Sequence, residues 1–188
     1  MVPCMDDKTE TQAEDQAKAG AMIVPVTLFE QNCTIIWHEP SKKAVVIDPG
    51  GDVPKILEAI KQTGVTVEKI WLTHGHIDHV GGAAELRDTL QVKIEGPHIA
   101  DKYLLDNVVS SGERFGMTGV RNFGPDRWLD EGEQVSIGDL TFDILHSPAI
   151  RRAAWFSSTR NCASPMSATC CSTARSGARI CPAAVTPR

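Results

Sequence analysis

Three histidines and an aspartate fall within the six residues His74-Gly75-His76-Ile77-Asp78-His79. Imidazole nitrogen and carboxylate oxygen are good donors for Zn²⁺ and related divalent ions. His74 and His76 stand two apart, so in an extended turn they point the same way. Gly75 between them lets the chain turn without a Cβ clash. Asp78 and His79 follow and can face a second metal beside the first. The chain holds only six histidines, so three in so short a segment is not an effect of composition. Adjacent metals lower the pKa of bound water toward about 7 and polarise a carbonyl. Hydrolysis of an ester, thioester or amide is the chemistry this pattern implies.

A strand must deliver this segment and a helix must carry it away. Lys69-Ile70-Trp71-Leu72 is an apolar strand that runs straight into Thr73. Residues 80–90 predict a helix with Ala83, Leu86 and Leu90 on one side. Upstream, residues 23–29 and 33–38 read as neighbouring strands. Ala44-Val45-Val46-Ile47 is continuously apolar, as in a strand buried on both faces, and ends in Asp48-Pro49-Gly50-Gly51. Asp52 as N-cap, Pro54 in the first turn and Gly64 at the stop bound a helix with Ile56, Leu57 and Ile60 on its apolar face. Downstream come a strand at 92–95, a helical stretch at 99–106 and a Gly-rich loop at 107–125. Residues 134–137 and 140–145 then read as a hairpin turning at Gly138-Asp139.

Other candidates stand further from chemistry. Asp48 ends a buried strand and can hydrogen-bond a metal-bound histidine from behind, though it can equally be a plain turn residue before Pro49. His98 reads as a loop residue, and His38 and His146 as structural residues at strand ends. Cys4 and Cys33 have no evident partner, and no C-x-x-C is present, so a zinc ribbon is unsupported.

The chain has 188 residues, of which 41% are hydrophobic, enough for one globular domain. Its net charge of −5 gives no reason to expect nucleic acid or an anionic membrane as partner. No apolar stretch is long enough for a membrane span and no basic, apolar leader opens the chain, so a cytoplasmic location is expected. Residues 1–21 are acidic and polar, and read as a disordered extension.

Several segments together resemble a known family. Thr73 to His79 matches the T-H-x-H-x-D-H signature of the metallo-β-lactamase superfamily. Pro25-Val26-Thr27, Gln31-Asn32-Cys33, Val46-Ile47-Asp48-Pro49-Gly50-Gly51 and Pro125-Asp126-Arg127-Trp128-Leu129 resemble the small bacterial glyoxalase II-like hydrolases. The resemblance covers residues 22–148. It implies an α/β fold, the αββα sandwich, and a dinuclear site holding two Zn²⁺, with iron or manganese as substitutes. It implies thioester hydrolysis of S-(hydroxyacyl)glutathione by a metal-bound hydroxide. His74 and His76 would bind the first metal, Asp78 and His79 the second, and Asp78 would orient the hydroxide. No cofactor-binding residues beyond the metal ligands are implied. Persulfide dioxygenases, lactonases and nucleases share the signature. A non-enzymatic metal-binding or interaction module is the reading outside enzymology.

The family also needs a histidine in P-G-H, an aspartate in V-G-D and a histidine further on, and none of these is here. Leu145-His146-Ser147-Pro148 begins the P-G-H segment, and Ala149-Ile150-Arg151 departs from it. Residues 150–188 contain no Asp, Glu or Lys but six Arg, whereas all 24 acidic residues precede them. Loss of one base after the Pro148 codon accounts for both features. The restored frame permits histidine where Ile150 stands and aspartate where Thr169 stands. The Trp155-Phe156 codons force a valine and the Cys170-Cys171 codons a leucine. Residues 149–188 therefore read as an aberrant basic tail, the second half of the sandwich as incomplete, and the hydrolase as impaired.

Overall fold

The computed structural model describes residues 19–147 and 153–158. Strands β1 (Ala19–Val26), β2 (Gln31–His38), β3 (Lys43–Ile47), β4 (Thr66–Trp71) and β5 (Lys93–Glu95) form one sheet in sequence order. The first three run antiparallel, and β3, β4 and β5 run parallel. A parallel pair needs a crossover. Helix α1 (Val53–Thr63) makes the first, and α2 (Ile77–Val80) and α3 (Ala83–Leu90) make the second. A 3₁₀ turn at Ile99–Asp101, α4 (Lys102–Leu105) and α5 (Val108–Arg114) follow. Strands β6 (Gln134–Ile137), β7 (Leu140–Ser147) and β8 (Ala153–Ser158) make a second, antiparallel sheet.

The apolar run of β3 explains the layering. Ala44 and Val46 enter the core shared with Ile56 of α1 and Leu86 of α3. Val45 and Ile47, on the opposite face, pack with Trp71, Val135, Phe142 and Ile144 of both sheets. The sheets thus lie face to face, with helices outside the first, as an αββα sandwich requires. Among the described residues no helix covers the outer face of the second sheet.

Several expectations need correction. Strand β1 starts at Ala19, not Met22, because Ala19, Gly20 and Ala21 pair with His38, Trp37 and Ile36. The expected extension is therefore three residues too long, and residues 1–18 lie outside the described residues. The expected helix at 80–90 is two helices broken at Gly81-Gly82, where Gly82 N–H donates to Pro49 O at 2.9 Å. Residues 107–125 are not all loop, since α5 lies within them. The residues after Pro148 are not all outside the fold, since the backbone of β8 pairs with β7. The boundary of the domain at residue 148 thus cuts through a sheet.

Candidate metal centre

The histidine segment sits where β4 ends, beside the end of its parallel neighbour β3. Adjacent parallel strands deliver two loops to one place, here Asp48 from β3 and Thr73 to His79 from β4. Asp48 N–H donates to Trp71 O at 3.0 Å, which ties the two ends together. The Pro49-Gly50 turn then packs against the histidine segment so closely that a Cβ on Gly50 would lie 1.6 Å from Asp78 O. Gly75 is needed for a similar reason, since its Cβ would meet Leu104 Cβ at 2.9 Å. Its N–H donates to the buried Asp101 carboxylate at 3.0 Å.

The three imidazoles converge. The His74 ring centroid lies 4.6 Å from that of His76 and 4.0 Å from that of His79. His74 and His79 are buried, His76 is exposed and Asp78 is half-buried. His79 Nε2 is 3.4 Å from Asp78 Oδ2. The cluster therefore has a closed floor and an open face, the form a catalytic metal site requires.

Asp48 forms the floor and is fully buried. Its Oδ1 accepts from Thr73 N–H at 2.8 Å, and its Oδ2 accepts from Thr73 Oγ1 at 2.6 Å and lies 2.8 Å from His79 Nδ1. Ligand atoms of Asp48, His74 and His79 all lie within 4.8 Å of one another, so Asp48 could itself donate to a metal. Three hydrogen bonds beneath the rings favour the orienting role instead. With its proton on Nδ1 toward Asp48, His79 keeps the Nε2 lone pair free. The donor set fits a divalent metal.

Burial works against ionising Asp48, but the His79 and His74 charges and its hydrogen bonds hold its carboxyl below the usual range. Burial also opposes charging His79, and the Asp48 carboxylate overcomes it and raises the imidazole. His74 is pushed down to about 4 by burial first and the His79 charge second. Its imidazole is thus neutral at neutral pH, the form in which a histidine can bind a metal. This gives a stability prediction for the metal-free protein. The unfolded chain protonates His74 near 6.5, and the folded chain only near 4. Stability should fall as pH drops through that window, by about 3 kcal/mol in total. His79, shifted upward, contributes stability that is fully present below its unfolded value, so it is constant within that window and is lost only as pH rises through its raised value. Urea midpoints in chelator should show the fall, and His74→Asn should flatten it. A flat wild-type profile between those values would contradict the assignment.

The remaining candidates do not join the cluster. His38 is buried with Nδ1 2.8 Å from Ser41 Oγ. His98 accepts from Ala100 N–H and its Nε2 lies 2.8 Å from Asp130. Cys33 is buried, and burial, then the Asp48 charge, pushes its thiol up. The side chain of His146, and Ile150 and Thr169, lie outside the described residues.

Two features were not visible in the sequence. Asp52 takes the N-cap position of α1 but makes no capping bond. It accepts instead from Thr27 N–H at 2.7 Å, bracing the β1–β2 turn with Thr27 at φ 62°. That turn walls a cleft of about 640 Å³ with Phe29, Glu85, Phe115 and Met117. None of the three clustered histidines lines it, but Gly51 and Gly81, beside the metal loops, do.

Residues 26–154 match the profile of the metallo-beta-lactamase superfamily. The chain belongs to that superfamily. Over 127 residues it is 40% identical to the hydroxyacylglutathione hydrolase GloC of Haemophilus influenzae, covering 67% of this chain and 59% of that one. The chain spans at most about three-fifths of the length of the curated relatives it matches. Among solved structures it is similar to the BLEG-1 B3 metallo-beta-lactamase, at 25% identity and a TM-score of 0.64, covering 74% of this chain and 67% of that one. It is also similar to TTHA1623 in a di-iron-bound form, at 28% identity and a TM-score of 0.61, covering 72% and 65%. Membership accounts for the histidine cluster. Among the described residues no helix is long and apolar enough to cross a membrane.

Proposed function

We propose that this chain carries part of the metal site of a glyoxalase II-type hydrolase acting on S-(hydroxyacyl)glutathione thioesters, and that the chain as written is impaired. The observation that carries this is the open-faced cluster of His74, His76 and His79 over Asp48. Identity to the Haemophilus influenzae hydroxyacylglutathione hydrolase supports the substrate class. His74 and His76 would hold one metal, and Asp78 and His79 a second. Zinc is the first expectation for both, with iron or manganese as substitutes. Bound metal supplies a nucleophile from water near neutral pH and polarises the thioester carbonyl. Asp78, half exposed beside His79, would accept a hydrogen bond from the attacking water and set its direction. The cleft beside the site, with Phe29, Phe115 and Met117, suits the acyl part of the substrate. Asp52 and Glu85 on its walls would repel the carboxylates of glutathione itself.

Residues 149–188 are read as a shifted frame. The family match stops at residue 154, just past the break in composition. The missing P-G-H histidine and V-G-D aspartate leave both metals short of ligands. Losing a partner behind a ligand typically weakens metal binding by about 10–100-fold, and here ligands themselves are lost. Metal analysis of the dialysed chain should find well under two ions. Activity should be tested on S-lactoylglutathione, a lactone and glutathione persulfide. Residual metal-dependent turnover is expected on the thioester alone. Oxygen uptake with the persulfide would replace this reading with a dioxygenase, and two tightly held ions would show that the tail supplies donors.

A further inference from the structure

We propose that the Thr73 hydroxyl is a positioning group that sets which nitrogen of His74 is presented to the metal. This rests on the reading of His74 as a ligand. Thr73 Oγ1 lies 2.6 Å from Asp48 Oδ2 and 2.9 Å from His74 Nδ1. A hydroxyl has one proton to give and lone pairs with which to accept. An ionised carboxylate has none to give, so the Thr73 proton goes to Asp48. The oxygen then faces His74 with lone pairs alone, and His74 Nδ1 must carry the ring proton. The other tautomer would set two lone pairs against each other in a buried place, where neither finds water.

The consequence is that one carboxylate orients two rings. It holds His79 directly through Nδ1 at 2.8 Å and His74 through the Thr73 hydroxyl. Both rings keep Nε2 as the lone-pair nitrogen. Thr73 does this without touching metal or substrate. Its backbone N–H is bonded to the same carboxylate at 2.8 Å, so the residue stays in place when only the hydroxyl is removed. Thr73→Val tests the hydroxyl at nearly constant shape, and Thr73→Ser restores it.

The test uses the full chain, freed of metal, with ¹⁵N-labelled histidine. At neutral pH, two-bond ¹⁵N–¹H spectra show which nitrogen of each ring bears the proton, and His74→Ala assigns the His74 signals. Wild type and Thr73→Ser should show His74 protonated at Nδ1. Thr73→Val should show a mixture of tautomers, and its cobalt(II) affinity should fall about 10–100-fold, with Thr73→Ser near wild type. A purely structural role would move the melting point and leave the tautomer alone. A wild-type His74 protonated at Nε2 overturns the proposal, even if Thr73→Val does not fold. A folded Thr73→Val with unchanged tautomer and cobalt affinity overturns it too. His74→Ala separates the two readings. If it leaves cobalt affinity unchanged, the ligand assignment itself is wrong, whatever Thr73 does.

Discussion

Inserting one G after the Pro148 codon is expected to yield a protein that binds two metals and hydrolyses S-lactoylglutathione, where the present chain shows little or no turnover. The insertion permits the P-G-H histidine at position 150 and the V-G-D aspartate at position 169. It also opens the frame beyond Arg188, toward the last histidine the family pattern needs. The V-G-D aspartate would bridge the two metals and hold their separation, on which the hydroxide nucleophile depends. The gain in kcat/KM should exceed the roughly 10–100-fold that attaches to losing one partner behind a ligand. His76→Ala in the repaired protein should abolish turnover again. A stop codon within a few residues of the insertion would sink the idea, as would an unrepaired chain that is equally fast.

Asp48→Ala should produce the largest loss of stability of any single change at the site. Asp48 is fully buried and is bonded to Thr73 twice and to His79 once. Removing its carboxylate leaves three buried donors, Thr73 N–H, the Thr73 hydroxyl and His79 Nδ1–H, without a partner, at about 1–3 kcal/mol each. That is a large share of the roughly 5–15 kcal/mol a domain has. Asp48 also sits at φ 51°, where Asp and Asn are tolerated and Ala is strained. Asp48→Asn should therefore fold, with a smaller loss and weaker metal binding. Urea midpoints for the two variants give the comparison. Equal stability in Asp48→Ala and wild type would mean that the histidine segment holds itself in place.

The elements that share one simple pattern were legible in the sequence. The apolar run of β3 and the Gly138-Asp139 hairpin are set by local residues alone, and both formed where expected. Helix α1 obeyed its Pro54 and Gly64 signals. Helix α5 was hidden because Ser110-Ser111-Gly112 reads as a loop. Gly112 is in fact a packing glycine, whose Cβ would lie 2.4 Å from Val120 Cγ2. The candidate ligand types were plain in the sequence, but their supports were not. Asp101 braces Gly75 from 26 residues away, and no local pattern records such a contact. Asp52 carried a capping signal, and the tertiary contact with Thr27 won.

The hydrogen bonds that join Asp48, Thr73, His74 and His79 all close within residues 48–79. Chains are made from the N-terminus at about 5–20 residues per second. Every partner in this network has therefore been synthesised before the first residue of the second sheet. An error late in translation leaves the earlier network all of its own partners while removing ligands that come after it. Loss of catalysis and loss of local order are thus separable failures in this chain, and a nascent protein can suffer the first without the second.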